Sequence, residues 1–590
     1  MLSQIVQTMR MITILPPKAK LYSENEKLSI YAGTIKSSLI AYPYDYNYLD
    51  LLCQADNKTE PSRLFNTKLL EIGEKKTPYE LEIGKDIENI PVCNKTYTDA
   101  QKKALINLID NKYRLFYKLD KLLIRDEFQT NESITYLAGA PLGIKDSNNK
   151  HYLYNHFDFN VELSPLDNGK TKIVGFETGI ILSSEGSESI ENMTSVNFTY
   201  SVHFFTTKTQ YENRWAKLTS GFTSNMHWLS ALSTLVIIIA QAVVMGALLL
   251  RNVKFDFKRY RKMLDDEDDP LEESGWKLVH GDVFRRPIDI ERLTEYLSGG
   301  LSLLFAVGLL LFLLALGIFD YIKEISLMKA FVYCFIISNL FSGIISGAFF
   351  HTIGTKAWKN TMFRSSIVAI LPVFVIHGVI NMIQLDSSIT MHLIPYILLY
   401  AFYGGISALL FIIGFVYGLR MRQYEFPSRV NQLPRQIPYQ PKYLNGYLVM
   451  YIGSLVTFLS FAFQAHTLMD SIWISHSPYR LYLLLFIIFL AMVATACEVS
   501  ILVVYLYLAH ENYNWWWISF YTAAYSGAYY FVYSIIYLFT FYKPATKIAV
   551  ISFLLVSLLI GIIIFLINGA SGFLSSLIFV TMLFKELKME

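Results

Sequence analysis

Polar and apolar positions divide the chain into two parts. Residues 1–226 mix the two kinds. Beyond them come nine apolar stretches, at about 228–250, 297–319, 328–350, 366–385, 393–416, 446–465, 481–508, 518–541 and 547–567. Each holds roughly 20 residues with few charges, enough at about 1.5 Å rise per residue to cross a hydrocarbon layer about 30 Å thick. A backbone in lipid must satisfy its hydrogen bonds within its own segment, so each stretch is predicted to be a helix.

In the first part the leading period is two. Val196, Phe198, Tyr200, Val202 and Phe204 alternate with Asn197, Thr199, Ser201 and His203, which predicts a strand with the second set turned to solvent. Residues 151–161 and 171–177 are further strand candidates. One helix is predicted at 98–112: Thr98 and Gln101 have capping-box spacing, and Ala104, Leu105, Leu108 and Ile109 form an apolar face. The expected fold is an α-helical polytopic membrane protein with nine transmembrane helices, preceded by a mainly β, sandwich-like lumenal domain. The head spans 1–226 and the membrane domain 227–590.

Composition agrees with a membrane protein: 53% of residues are hydrophobic and 17% charged, against about 25% charged in soluble proteins. A net charge of +3 gives no reason to invoke nucleic acid. Charge placement says more. Loop 251–296 carries Arg251, Lys254, Lys258, Arg259, Arg261, Lys262, Lys277, Arg285, Arg286 and Arg292. Loops 351–365 and 417–445 and the tail 581–590 are also basic, while the alternate connections are poor in Lys and Arg. The positive-inside rule therefore predicts that 251–296 and the C-terminus are cytosolic and the head lumenal. Five sequons, at Asn57, Asn94, Asn131, Asn192 and Asn197, all precede the first span, which fits a translocated head. Cys53 and Cys93 are the head's cysteines; in an oxidising lumen they form a candidate disulfide. Residues 1–15 make a poor signal peptide, because Arg10 interrupts the apolar run. Either the signal is degenerate or the natural start lies upstream, and the second is the preferred expectation.

Specific motifs sit between the spans. Gly275-Trp276-Lys277-Leu278-Val279-His280-Gly281-Asp282-Val283-Phe284-Arg285-Arg286-Pro287 follows an acidic run, Asp265 to Asp269. A later loop reads Asn431-Gln432-Leu433-Pro434-Arg435-Gln436-Ile437-Pro438, and another Glu511-Asn512-Tyr513-Asn514-Trp515-Trp516-Trp517. In the head stand Tyr152-Leu153-Tyr154-Asn155-His156, Val174-Gly175-Phe176-Glu177 and Phe198-Thr199-Tyr200-Ser201-Val202. Together, in this order and over nearly the whole chain, they resemble the nonaspanins, the transmembrane 9 superfamily. Trp276, His280, Gly281, Asp282 and Arg285 carry the loop motif. The resemblance implies residence in Golgi and endosomal membranes and a part in sorting or surface delivery of client membrane proteins, including those with glycine-rich spans. It also implies links to adhesion and phagocytosis, and brings no catalytic reaction and no cofactor. The tail Lys588-Met589-Glu590 resembles the family's Lys-x-Asp/Glu signal, which binds coatomer. Two positions depart from the family pattern: Cys93 stands alone where a closer cysteine pair is expected, and Gln464 stands where relatives often carry Glu.

Several polar residues within the spans are candidates for chemistry. Glu498 lies well inside span seven, where a charge costs roughly 2.5–3.5 kcal/mol on insertion scales. It is a proton or substrate site, or else one half of an interhelical hydrogen bond. His377 and Asn381, and His466 and Asp470, are spaced to share helix faces. Interhelical hydrogen bonding suits these pairs better than a metal, which two ligands do not specify. Gly343-x3-Gly347 and Gly414-x3-Gly418 have the spacing for close helix approach, with packing inside the bundle preferred over a dimer or a client. Trp515, Trp516 and Trp517 are expected to anchor at the bilayer boundary. The bases upstream of the acidic run could meet anionic lipid heads. Loop 275–287 either folds back onto the helix ends or docks a partner. No nucleophile elbow, HExxH or phosphate loop is present in the head, so the chain is not expected to be an enzyme. The leading reading is a trafficking factor; a transporter or channel using the buried polar residues, and an adhesion receptor acting through the head, are the rivals.

Overall fold

The computed structural model describes residues 20–37, 44, 46–54, 75–120, 122–130, 133–146, 148–165, 170–179, 189–209, 211, 214, 224–265, 275–316, 327–383, 393–470, 473, 482–544 and 547–585. Asn57, Asn131, Asp266 to Asp269 and the tail residues Lys588, Met589 and Glu590 lie outside them.

The head is a two-sheet sandwich. Its strands are β1 (Lys27–Ser37), β2 (Lys75–Glu82), β3 (Ile87–Thr96), β4 (Tyr113–Leu119), β5 (Leu122–Leu123), β6 (Arg125–Thr130), β7 (Ser133–Ala138), β8 (Ala140–Pro141), β9 (Gly143–Lys145), β10 (His151–Leu153), β11 (His156–Pro165), β12 (Thr171–Gly179) and β13 (Ser195–Thr206). One sheet runs β2-β1-β4-β5, with β8 also on β4; the other runs β3-β13-β11-β12-β6-β7; β9 and β10 form a small hairpin. Period-two alternation turns one side of each large sheet inward. Tyr79 and Tyr117 from the first meet Phe157 and Phe159 from the second, with ring centroids 5.5–6.1 Å apart in edge-on geometry. The helix α1 (Asp99–Asp110) closes one end. Thr98 and Gln101 form its capping box, and Leu105, Leu108 and Ile109 are buried. Cys53 and Cys93 are joined in a disulfide with Cα atoms 5.9 Å apart at a sequence separation of 40. Closing a loop of that length removes about 4 kcal/mol of unfolded-chain entropy in the simplest treatment.

Two head expectations need correction. The candidate strand 151–161 is two strands in different sheets, parted by Tyr154 and Asn155. Ser201, assigned to the solvent face, is only 5% exposed. It is enclosed by the His156 ring on parallel β11, 3.3 Å away, and by the backbone N–H of Asn89, which donates to it at 3.1 Å. Alternation picks the face of a strand; it does not say whether that face is covered.

The second part is a helical bundle: α2 (Ser224–Asp265), α3 (Ile290–Ala315), α4 (Leu327–Ile353), α5 (Trp358–Val368), α6 (Ile370–Ile383), α7 (Leu393–Arg420), α8 (Gly446–Met469), α9 (Tyr482–Ala509), α10 (Trp516–Ala524), α11 (Ser526–Tyr537) and α12 (Lys547–Lys585). The described residues of all nine apolar stretches lie on helices or at their ends. Among the described residues, eight helices are long and apolar enough to cross a membrane, with α5 and α6 acting end to end as one. The eighth stretch in chain order is helical but broken at Tyr525, giving α10 and α11. The last helix runs on to Lys585, well past residue 567. The chain is thus an integral multi-pass membrane protein with a β domain at its N-terminus. Counting passes puts loop 275–289, the 354–357 turn, loop 421–445 and loop 510–515 together, on the side away from the head.

Two seams set the architecture. Between α4 and α7, Gly343 and Gly347 lie against the backbone of Phe411 and Phe415, while Gly414 and Gly418 lie against Leu340 and Ile344. A Cβ at any of the four would strike a carbonyl oxygen. Both glycine motifs are therefore spent on each other, which answers their sequence ambiguity in favour of internal packing. Between α3 and α4 the contact is polar: the Ser302 hydroxyl donates to Asn339 at 3.1 Å, and Ser338 and Ser342 donate to the carbonyls of Ser302 and Ser298 at 2.8 and 2.7 Å.

Candidate functional site: the far-side cap and the buried polar positions

The loop motif folds back onto the helix ends. Gly275 takes φ +100°, which only glycine adopts readily, and opens a short turn at Trp276–Val279. Val279, Val283 and Phe284 are buried with Trp515 and Trp516. The Phe284 ring stacks on Phe426 at 4.4 Å, and Trp276 meets Phe584 edge-on at 5.6 Å. Gly281 abuts the Asn431 side chain, where a Cβ would collide, and its carbonyl accepts from the Asn431 backbone N–H at 2.8 Å.

Charged groups knit the loops together. Arg285 pairs with Asp282 and donates to the Asn431 carbonyl at 2.8 Å. Asp282 also accepts from the Arg435 backbone at 3.2 Å. The Arg435 guanidinium reaches Glu511 at 3.0 Å, and the other Glu511 oxygen accepts from the Gly275 N–H at 3.3 Å. Arg286 donates to the last carbonyls of α4, Ile353 at 2.7 Å and Gly354. These bonds use up helix-end acceptors that would otherwise lack partners. His280 is half-buried, and its ring lies 2.9 Å from the nearby Lys277 carbonyl. Three motifs far apart in sequence thus make one cap.

The tryptophan reading is corrected here. Trp515 and Trp516 are 0% and 2% exposed and sit inside the protein rather than at a bilayer boundary. Trp515 donates its indole N–H to the Val283 carbonyl, and Trp517 donates to Ile288, each at 2.8 Å. Buried indoles usually find such an acceptor; the enclosed Trp516 Nε1 has none. Sequence placed the three residues at a span end but not under a returning loop.

The intramembrane candidates do not gather into one site. On α6, His377 stacks on Tyr396 at 5.6 Å and its Nδ1 lacks a hydrogen-bond partner; Asn381 follows one turn later. On α8, Gln464 is buried and its side-chain oxygen lies 3.4 Å from the Thr467 hydroxyl. At the head-side end of α8, His466 contacts the Tyr533 hydroxyl at 2.9 Å and Asp470 at 3.4 Å, and Tyr537 donates to Asp470. On α9, Glu498 is half-buried and its Oε2 has no hydrogen-bond partner. Among the described residues, no three His, Cys, Asp or Glu side chains could hold a metal ion together.

Sequence reading missed the charged clusters of the head. Arg125, 2% exposed, bridges Glu162 at 3.1 Å and Glu177 across β6, β11 and β12. His151 sits between Asp110 at 3.0 Å and Glu191 at 3.1 Å. Burial works against a charge on this ring, but the bonds from Asp110 and Glu191 outweigh it and hold its pKa above the usual value. An arginine opening a strand was the one available hint of the first; nothing in the spacing marked the second. The sequon residues Asn94, Asn192 and Asn197 are exposed, and Asn94 stands directly opposite Asn197 on β3 and β13.

Comparison with known proteins gives one answer over the full length. The family model described as Endomembrane protein 70 matches residues 43–548. Transmembrane 9 superfamily member 9 of Arabidopsis thaliana is 25% identical, over 96% of this chain and 94% of its own. A transmembrane 9 superfamily protein of Schizosaccharomyces pombe is 28% identical, over 98% and 94%. Transmembrane 9 superfamily member 4 of Mus musculus is 26% identical, over 96% and 95%. No solved structure matches.

Proposed function

We propose, from the premise that this chain belongs to the Endomembrane protein 70 family of transmembrane 9 superfamily proteins, that it works without catalysis in Golgi and endosomal membranes. There it assists the sorting and surface delivery of other membrane proteins. The head faces the lumen and the cap and tail face the cytosol, in keeping with the placement of Lys and Arg. Lys588, Met589 and Glu590 supply a cation and a terminal carboxylate to coatomer, which returns the protein to the Golgi.

The observation that carries this reading is the cap. Asp282, Arg285, Arg286, Arg435 and Glu511 are committed to one another and to helix-end carbonyls. These conspicuous charged residues therefore brace the bundle, which suits a scaffold for other spans better than a solute path. The transporter reading retains one specific support, the unpartnered Glu498 Oε2.

The test is the cell-surface proteome with and without the protein. Sorting predicts that a defined set of membrane proteins leaves the surface when it is lost; an unchanged surface sinks the reading. Removing residues 588–590 should shift the protein out of the Golgi. Glu498→Gln separates the rivals: lost solute flux with intact delivery favours transport.

A further inference from the structure

The helix α2 is held differently from every other span. Only 6% of its membrane window is buried, against 56% along α3. It packs on α8 and α9 through a narrow half-buried seam that includes Ile238, Gln241, Ala242 and Met245. The Nε2 of Gln241 is enclosed without a hydrogen-bond partner.

The facing side of α9 can be assigned by helical angle, at about 100° per residue. Thr495 bonds Ser460 of α8 at 3.1 Å and Val499 lies against Gly453 of α8, which marks the α8 side. Cys497 contacts the Ser571 carbonyl of α12 at 3.5 Å on the other side, and Ser500 donates to Ser519 of α10 at the back. Glu498 lies between the α8 and α12 sides, on the face left to α2. Toward the cap this face is covered, since Leu502 and Tyr505 are buried. Toward the head it is open: Ile487 and Leu490 are 42% and 49% exposed, and Ala494 is exposed as well. The two helices thus bound a wedge that opens sideways in its head-side half. Glu498 stands where it closes. Counted from the far-side ends of their membrane windows, Phe255 and Ala509, Gln241 lies 14 residues in and Glu498 11, so their depths differ by about one turn.

Resting on the sorting reading above, we infer that this wedge docks a single transmembrane helix of a client protein that carries an amide or hydroxyl side chain near its middle. Lipid chains offer neither donor nor acceptor, so they would leave Gln241 Nε2 and Glu498 Oε2 as they are. Both atoms are enclosed in the seam, so the incoming helix displaces the lightly held α2 to reach them; a helix with one central polar residue then satisfies them, and is itself relieved of an unpaired group in hydrocarbon. About three turns of open α9 surface on the head side of Glu498 supply the apolar contact.

The test uses the full chain in phosphatidylcholine vesicles and two synthetic spans, a 21-residue polyleucine helix and the same helix with one central Asn. Binding is read by energy transfer between labelled span and protein. The Asn span should bind about three- to tenfold more tightly, the range of interhelical side-chain hydrogen bonds in bilayers. Glu498→Leu and Gln241→Leu should each reduce the preference, while Glu498→Gln keeps it. Ala494→Trp, which fills the open half without touching either polar group, should weaken both spans and guards against a folding artefact at position 498. Equal binding of the two spans, or a preference untouched by Glu498→Leu and Gln241→Leu, overturns the docking site and leaves the sorting reading to its own surface-proteome test. A preference that depends on both residues supports docking even if the surface proteome does not change.

Discussion

The α4–α7 seam and the α2–α9 seam are built on opposite principles. In the first, four glycines let two backbones touch, and no side chain stands between them. In the second, a Gln and a Glu face the contact with enclosed atoms that have no hydrogen-bond partner, and half the face is open. In lipid there is no hydrophobic gain from joining two apolar helices, so close packing and satisfied polar groups hold a bundle together. By that measure α4 and α7 are a finished pair, and α2 and α9 are an unfinished one. Within one bundle, rigidity and availability are placed on different helices.

The largest test of this contrast is a set of glycine-to-alanine changes. At Gly343 and Gly418 a Cβ would strike the carbonyl oxygens of Phe411 and Ile344. Overpacking of that kind costs about 1–3 kcal/mol, so the double variant Gly343→Ala/Gly418→Ala should lose about 3 kcal/mol in detergent unfolding. Gly246 on α2 has nothing within 4 Å of its Cβ position. Alanine there should gain about 0.5–1 kcal/mol from helix propensity alone. The signs differ; equal effects at the two seams would erase the distinction.

A smaller test concerns the helix ends. The cap bonds join the loops after α4, α7 and α9, whereas α2 continues as helix to Asp265. Trp515→Phe keeps most of the buried ring and leaves the Val283 carbonyl without its donor, at a cost of about 1–3 kcal/mol. Amide exchange should then rise together in 275–289, 421–445 and 510–517 while the middle of α2 stays as it was. A rise confined to residues beside Trp515 would show that the loops are not one unit.

What could be read from sequence follows from how local each cause is. The spans were legible because bilayer thickness imposes a length and a composition on each segment separately. Glycine spacing pointed to a close helix contact, but the partner of Gly343 is 71 positions away, at Gly414, and spacing on one helix cannot name the other. Trp515 was misplaced for the same reason: its neighbour Val283 lies on a loop some 230 positions earlier. The break at Tyr525 had only Ser526-Gly527 to announce it, and the close fit of Gly527 against Gly561 of α12 could not be read from the sequence. Glu498 was visible as a misfit, and only the fold put Gln241 on the helix that covers its face.

Acidity offers the finest discrimination, because the glycine contacts of α4 and α7 involve no titrating group and the head does contain one. His151 lies between Asp110 of α1 and Glu191, and Lys145 of β9 shares the same Asp110 oxygen at 3.0 Å. Its pKa in the folded head is above the ordinary 6.5. Stabilisation from its protonated form is therefore complete below about pH 6.5 and is lost as pH rises through the raised value. Asp110 is held below its usual value by hydrogen bonds from His151 and Lys145. At Glu191 burial opposes ionisation, but the His151 bond prevails and the pKa is again lowered. Their share is present above the ordinary carboxylate range and fades as pH falls through the depressed values. The cluster should be tightest between about pH 5 and 6.5. In the full chain, amide protection along α1, β9 and β10 should be greater at pH 6 than at pH 8 once intrinsic exchange is divided out, and His151→Gln should flatten that difference. Protection along the α4–α7 seam should stay level over the same range in both proteins. A pH response in the seam as strong as in the head, or one in the head that survives His151→Gln, would mean that the cluster is not its source.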